Sequence, residues 1–349
     1  KTYRHLGFRK LVTDAPHVVS ALFPCWMASP LSISHLVPAD FKLFDTVIFD
    51  EASQVFPEDA VPALLRGHRA IVAGDRHQLP PTAFFADTDS DEDVAGDEGE
   101  VAGFESILDQ MASFLDVWSL DWHYRSRDER LIAFSNREVY GGRLITFPGT
   151  AGASSVRLVE IPWRPGQTIA GQEHSSSPEV ERVVELVREH ARTRPEESLG
   201  VIAFGIPHQR RVEEALERAC LHDPELAAFF ERKGEELCFV KNLERVQGDE
   251  RDAILLTVGY GRDATGTVPL RFGPINSSQG YRRLNVAISR ARRRMTVVSS
   301  FTHRDLDPSR VKERRGLEML RNYLEFASHG GDRLPDRGGG QLPENAFEA

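Results

Sequence analysis

The sequence predicts an α/β fold of parallel sheets and crossover helices, arranged as two domains. Two short apolar runs, residues 46–49 and 70–73, each end in a turn carrying carboxylates, Asp50-Glu51 and Gly74-Asp75. Buried parallel strands deliver side chains to the carboxyl edge of a sheet in this way, and open α/β folds bind ligands at that edge. Helical and apolar segments alternate again after residue 104, and 349 residues suffice for two cores.

With 40% hydrophobic and 28% charged residues the chain reads as globular over most of its length. No apolar run approaches the roughly 18 residues of a membrane span, and no secretory leader opens the sequence. The expected location is therefore cytoplasmic, with no membrane partner. Cys25, Cys220 and Cys238 lack neighbours at metal-ligand spacing and are expected to be small buried apolar residues. The net charge of −10 is concentrated in residues 87–100, which hold eight acidic side chains and no basic one. The remainder is close to neutral, so a basic groove for nucleic acid can exist on it.

In chain order, residues 1–20 mix basic and apolar types and begin without methionine, as an excised fragment would. Residues 21–34 suit a strand running into a loop at a sheet edge. Ser29 and Ser32 can offer hydroxyls to phosphates there, or Ser can cap an ordinary turn. Residues 45–73 give strand, loop, short helix and strand, the unit of a parallel sheet. A carboxylate pair after the first strand can hold a hydrated Mg²⁺ through Asp50 and polarise a water with Glu51. Gln78 follows the second strand on a loop stiffened by Pro80-Pro81, placed to sense what that water attacks. The acidic run cannot bury apolar surface and reads as a solvated insertion, with mimicry of nucleic acid as the functional alternative.

Helical periodicity restarts at residues 104–111, and residues 117–120 read as a strand leading to Tyr124-Arg125-Ser126, with a helix from about Asp128. Arg125 can reach a γ-phosphate from such a loop, or make a surface salt bridge. Residues 140–177 are connecting structure with one strand at 156–161. The second αβ series has a helix at 177–192, with Val180, Val183, Val184 and Val187 on one face, a buried strand at 199–204, a helix at 210–219 and a strand at 237–240. Gln247-Gly248 forms a turn that allows close backbone approach, and Glu250 can accept from a ribose hydroxyl before a buried strand at 252–258. Arg283, Arg290, Arg292, Arg293 and Arg294 fall on the last helix of the series and its exit, ahead of a strand at 295–299. Leu284, Ala287, Ile288 and Ala291 form that helix's inward stripe. Arg290 lies off the stripe, where a guanidinium can point into a cleft. Residues 338–349 read as a linker.

Together these segments compose a known set. VIFDEASQ, VAGDRHQLPPT, WHYRS, GVIAFGIPHQ, VKNLERVQGDERDAI and RRLNVAISRAR resemble motifs II, III and IV, the following second-domain strand, and motifs V and VI of superfamily 1 helicases. The resemblance covers residues 20–305 and is nearest to the 5′-to-3′ branch that contains the nonsense-mediated-decay helicases. The acidic insertion and the glycine-rich tail resemble a bacterial group of large helicase-like proteins with a C-terminal nuclease domain of the very-short-patch-repair type.

The resemblance implies two RecA-like P-loop NTPase domains, the first incomplete, with ATP and Mg²⁺ as cofactors. Residues 1–86 would belong to the first domain, 87–103 to the acidic insertion, 104–328 to the second domain and 329–349 to the tail. Asp50 would hold Mg²⁺ through water and Glu51 would be the general base. Gln78 would couple the γ-phosphate to the nucleic acid, and Arg125 with Arg290 would stabilise the transferred phosphoryl group. Gly248, Glu250 and Tyr124 would line the nucleotide. Ser29, Phe204 and Gln247 would face single-stranded nucleic acid, DNA ahead of RNA, through its backbone.

One departure stands against these matches. No G-x-x-x-x-G-K-[ST] loop occurs in the sequence, so the expectation is the motor portion of an ATP-dependent helicase or translocase that is inactive in isolation. Its partners would be an N-terminal segment bearing the phosphate loop and a C-terminal nuclease domain. The alternatives are a non-catalytic nucleic-acid-binding scaffold and a split enzyme completed by a second chain.

Overall fold

The computed structural model describes residues 6–81, 104–149, 154–163, 175–232, 234, 236–263 and 265–335. The acidic run and the distal tail lie outside these residues. The chain divides into two compact units, the first ending at Ser119 and the second occupying the chain from Leu120 onward.

The first unit contains α1 (Phe8–Asp14), α2 (Pro16–Leu22), α3 (Pro30–Leu36), β1 (Phe44–Phe49), α4 (Pro57–Leu64), β2 (Gly67–Val72) and α5 (Ile107–Ala112). Proline occupies the first turn of α2, α3 and α4, where its missing N–H costs nothing and its fixed φ suits a helix. The strands pair in parallel with Phe49 opposite Val72. They are joined by a 3₁₀ turn (Ala52–Gln54) and α4. Val12, Val19, Ile33, Phe49, Ala60 and Ile107 form the core.

Three expectations are corrected here. Among the described residues the sheet is covered on one face only, since Ile48 and Ile71 are 66% and 54% exposed. Residues 21–34 form no strand, because α2 runs to Leu22 and α3 begins at Pro30. The unit boundary falls after Ser119, not after residue 103, because Ile107, Leu108 and Met111 pack into this first core.

The second unit contains α6 (Arg130–Glu138), β3 (Val156–Glu160), α7 (Ser177–Thr193), β4 (Leu199–Ala203), α8 (Ile206–Cys220), α9 (Pro224–Phe230), β5 (Phe239–Asn242), β6 (Arg251–Thr257), α10 (Gly280–Ile288), β7 (Ala291–Ser299) and α11 (Arg314–Ser328). Its sheet is wholly parallel with order β3-β7-β6-β4-β5. All five residues of β4 are buried, the pattern of a strand covered on both faces. On α7, Val180, Val183, Leu186 and Val187 share a core with Val201, Leu255 and Val298 of the sheet. On α11, Tyr323 and Phe326 stack with Phe134 of α6 at centroid distances of 5.0 and 5.6 Å.

The 117–120 segment is not a strand, and its neighbour Trp122 makes only an isolated bridge to Ile145. Arg292, Arg293 and Arg294 lie in β7 and not at a helix exit. Each is paired with a carboxylate, Arg292 with Glu236, Arg293 with Asp252 and Arg294 with Glu197. Cys25 is exposed and the other two cysteines are half-buried, so only a partial version of the buried reading stands. No helix among the described residues is long and apolar enough to cross a membrane.

Candidate functional site

In the first unit the backbone pairing continues past the strands. Ala73 N donates to Phe49 O at 2.8 Å, and Ala52 N donates to Ala73 O at 2.9 Å. Asp50-Glu51 and Gly74-Asp75 therefore leave the same carboxyl edge, as the sequence pattern requires. Asp50 Oδ1 accepts from Glu51 N at 3.0 Å. Glu51 itself sits at φ 52°, ψ 40° and is the one non-glycine residue with positive φ among the described residues. A Cβ in this left-handed region is disfavoured, and such outliers concentrate at functional sites.

Gln78 is fixed by a partner that sequence reasoning missed. Asp75 accepts from His77 N at 2.8 Å and from Gln78 Nε2 at 3.2 Å, while buried Leu79 anchors the loop. The signal was available, since an Asp two or three residues before a polar side chain commonly closes such a turn. Among the described residues no three metal-ligating side chains gather into a cage. Asp50 contributes a single hard oxygen donor at the strand end. This suits an ion that keeps most of its own water, as Mg²⁺ does, and does not suit zinc. Ser29 is the N-cap of α3, accepting from Ser32 N at 3.2 Å and donating to Ser32 Oγ at 2.9 Å. The capping alternative is the one realised.

In the second unit Arg125, Glu250 and Arg290 come together at the amino edge of the sheet. Glu250 directly precedes β6 and Arg290 directly precedes the neighbouring β7. Arg127 N donates to Arg292 O at 2.8 Å, which lays the Tyr124–Arg127 segment along the start of β7. Arg125 Nε donates to Glu250 Oε2 at 2.6 Å, so Arg125 is held by the acid that the sequence assigns to the ribose. Tyr124 is 82% exposed beside it. Arg292 adds a second cation, paired with Glu236 and lying 3.7 Å from Glu250 and 3.4 Å from Asp252. These carboxylates hold its pKa above the usual guanidinium range, the Glu236 hydrogen bond foremost.

Arg290 corrects one expectation. It is 1% exposed, with Nε donating to Val286 O at 2.8 Å and a terminal nitrogen donating to Ser289 Oγ at 3.3 Å. The side chain folds back onto the last turn of α10, with a terminal nitrogen 3.5 Å from Asp249 O, and does not project freely into a cleft. Gly248 has φ +84° with open space around a would-be Cβ, so the turn needs glycine for its backbone alone. Gln247 shares this turn, which Asp249 N closes onto Val246 O.

Phe204 is a second correction. It is buried at 1% exposure after β4, at the carboxyl edge, because its ring completes the core there. It presents no face to a ligand.

The carboxyl edge of this sheet holds a buried polar chain that no sequence motif announced. Ser175 Oγ lies 2.8 Å from His208 Nδ1, and His208 Nε2 lies 2.8 Å from Thr257 Oγ1. Thr257 Oγ1 donates to Glu179 Oε1 at 2.9 Å, which also accepts from Gly259 N at 2.8 Å. Ser300 Oγ donates to the other Glu179 oxygen at 3.1 Å. Burial raises the Glu179 pKa to about 7 against these hydrogen bonds. Burial, with Arg211 nearby, lowers His208 to about 3. The chain clamps the loop after β6 to α7 and α8.

Comparison with known proteins agrees with this layout. Residues 103–302 match an AAA domain, and residues 29–85 match another. The chain is 34% identical over 324 residues to an uncharacterized ATP-dependent helicase of Mycoplasma pneumoniae, which covers 88% of this chain and 28% of that protein. It is 26% identical to the DNA polymerase alpha-associated DNA helicase A of Saccharomyces cerevisiae, covering 85% of this chain and 43% of the yeast protein. Mouse DNA-binding protein SMUBP-2 is also 26% identical, with 84% and 27% covered.

The chain belongs to the AAA-domain family.

The family match places both sets of site residues inside matched segments, Asp50, Glu51 and Gln78 in one and Arg125, Glu250 and Arg290 in the other. This chain spans less than half the length of each of these relatives.

Proposed function

We propose that the chain is the motor portion of an ATP-dependent helicase or translocase that couples Mg-ATP hydrolysis to movement on single-stranded nucleic acid, DNA ahead of RNA. The observation that carries this reading is Glu51, a carboxylate kept in a left-handed backbone conformation at the carboxyl edge, beside Asp50 and the Asp75-braced Gln78. Glu51 acts as general base on the attacking water, a role generally worth about 10²–10⁴ in rate. Gln78 couples the γ-phosphate to the nucleic-acid contacts. Asp50 would hold a hydrated Mg²⁺, which neutralises phosphate charge when bound.

Arg125 stabilises charge on the transferred phosphoryl group, a contribution of roughly 10³–10⁵ for an arginine finger in general, while Arg290 is left out because it is buried against Val286 O. In this reading the Arg125–Glu250 pair keeps Arg125 extended before nucleotide arrives. Gly248, Glu250 and Tyr124 line the nucleotide, and Gln247 serves the nucleic-acid backbone, while the Ser29 hydroxyl is committed to capping α3. Phe204 is left out of that set because its ring is buried.

The proposal further holds that the phosphate loop comes from outside these 349 residues, so the chain alone turns over slowly. ATP hydrolysis is to be measured with single-stranded DNA for the chain alone and for the chain extended through its upstream sequence. Strong stimulation only in the extended protein supports the reading. Ordinary helicase turnover by the chain alone removes the claim of a missing loop, and absence of hydrolysis in both favours the scaffold.

A further inference from the structure

The matched AAA segment ends at residue 302, and the helicase motifs end before it. Beyond that point the approach to α11 and its first half read RVKERRGLEMLR, holding five basic side chains against two acidic ones between residues 310 and 321. Nothing in the motif set uses them. In a chain of net charge −10, an excess of positive charge over a dozen residues is a local feature.

These residues border a cavity of 680 Å³ in the second unit, formed by the end of α6, the start of α10, a 3₁₀ turn (Pro308–Arg310) and the first half of α11. Arg314, Arg315 and Arg321 line it, with Glu138, Asp307 and Glu318 as the acids. Two of those acids are already occupied. Glu138 pairs with Arg137 at 2.8 Å. Asp307 accepts from Ser309 N at 3.0 Å and from Ser309 Oγ at 2.6 Å, and Arg310 and Arg321 compensate its charge at longer range. With Arg137 offsetting Glu138 and Arg321 offsetting Asp307, Arg314 and Arg315 stand against Glu318, so the lining carries a small positive excess.

The arginines are also prepared for a ligand. Elsewhere in this unit Arg125, Arg130, Arg188, Arg262, Arg283 and Arg292 sit in ion pairs. Among the described residues Arg314 and Arg315 are exposed and form no ion pair, and exposed Arg321 meets Asp307 only at longer range. The Arg315 guanidinium carbon stands 3.4 Å from the centroid of the buried Tyr281 ring. Stacking on an aromatic face holds the guanidinium plane while leaving its N–H edges free, the arrangement suited to bidentate phosphate recognition.

We infer that this cavity and the arginines at the start of α11 form a second nucleic-acid contact that grips backbone phosphates, outside the helicase motifs. The choice of ligand rests on the nucleic-acid reading above. The chemistry requires several phosphates spaced along a strand, since the cations are spread over residues 310–321 and not focused on one point. Such a contact carries no sequence information and depends on salt.

The test measures binding of fluorescent dT20 by anisotropy from 50 to 300 mM NaCl, for the 349-residue chain and for the triple variant Arg314→Gln, Arg315→Gln, Arg321→Gln. The substitutions are on the surface, and circular dichroism checks the fold. Loss of three phosphate contacts at about 0.7 each should lower the log–log salt slope by about 2, with weaker binding at 50 mM. An unchanged slope and affinity overturn the inference and leave the helicase reading intact. Absence of dT20 binding by the unmodified chain removes the nucleic-acid reading and this inference with it. A parallel titration with ATP should be insensitive to the triple variant. Lost ATP affinity with unaltered dT20 binding would assign the cavity to a nucleotide and overturn the proposal.

Discussion

The left-handed conformation of Glu51 gives a prediction that separates backbone strain from side-chain chemistry. Replacing Glu51 by Ala or by Gly removes the same carboxylate and every contact it makes, so the difference between the two variants isolates the backbone. At ordinary helical or strand positions Ala is favoured over Gly by about 0.5–1 kcal/mol, because glycine loses more conformational freedom on folding. At φ 52°, ψ 40° an L-residue incurs about 1–2 kcal/mol that glycine does not. The net expectation is that Glu51→Gly is more stable than Glu51→Ala by about 0.5–1 kcal/mol, reversing the usual order. Urea titration followed by tryptophan fluorescence reads this, since Trp26 packs between Phe8 and Phe44 in the same core at 5.4 and 5.3 Å. With a denaturant slope of roughly 1–3 kcal/mol per molar, the midpoints should differ by a few tenths molar. If Glu51→Ala matches or exceeds Glu51→Gly, the strain argument is refuted. The carboxylate would then sit at no backbone cost.

Gly259 is expected to tolerate no side chain. It has φ +81°, and a Cβ there would meet the His208 ring at 2.5 Å. Gly259→Ala should cost about 2–5 kcal/mol, from left-handed strain and overpacking together, in denaturant unfolding of the second unit. Stability should also depend on pH through buried groups. His208 is lowered to about 3, and His123 and His190 to about 4, chiefly by burial. Depressed histidines contribute stability above their ordinary 6.5 that is lost as pH falls towards the folded values, at about 1.4 kcal/mol per pH unit for His208 once it titrates only in the unfolded chain. Glu179, raised to about 7, acts in the opposite sense: its contribution is full below 4.5 and lost as pH rises through 7. Glu179→Gln should therefore gain stability relative to the parent between pH 5 and 8, and a constant difference across that range would contradict the assignment.

Much of the site was legible because strand-end chemistry is local. An apolar run followed by Asp50-Glu51, and another followed by Gly74-Asp75, fix both the strands and the edge their carboxylates reach, and β1 and β2 pair accordingly. The αβ series after residue 154 was legible for the same reason, with β4, β6 and α7 close to their expected bounds. What the pattern could not supply was the partner of a charged residue. Arg125 meets an acid 125 positions away, and Arg290 turns back onto Val286 O; neither contact has a sequence period. Phe204 was misplaced because an aromatic after a strand suits a stacking platform and a core lid equally, and burial decides between them. The Ser175–His208–Thr257–Glu179 chain was missed because its members come from separate elements. Residues 117–120 alternate like a strand but have no pairing neighbour in the described fold beyond the Trp122 bridge.

The central claim is that Glu51 serves hydrolysis of ATP in a nucleic-acid motor. The most direct measurement is DNA-stimulated ATP turnover by the protein extended through its upstream sequence, compared with its Glu51→Gln variant. Glutamine keeps the shape and the left-handed backbone while removing the base, so ATP binding should persist with little change in KM and kcat should fall by about 10²–10⁴. A Glu51→Gln protein that retains kcat would contradict the account.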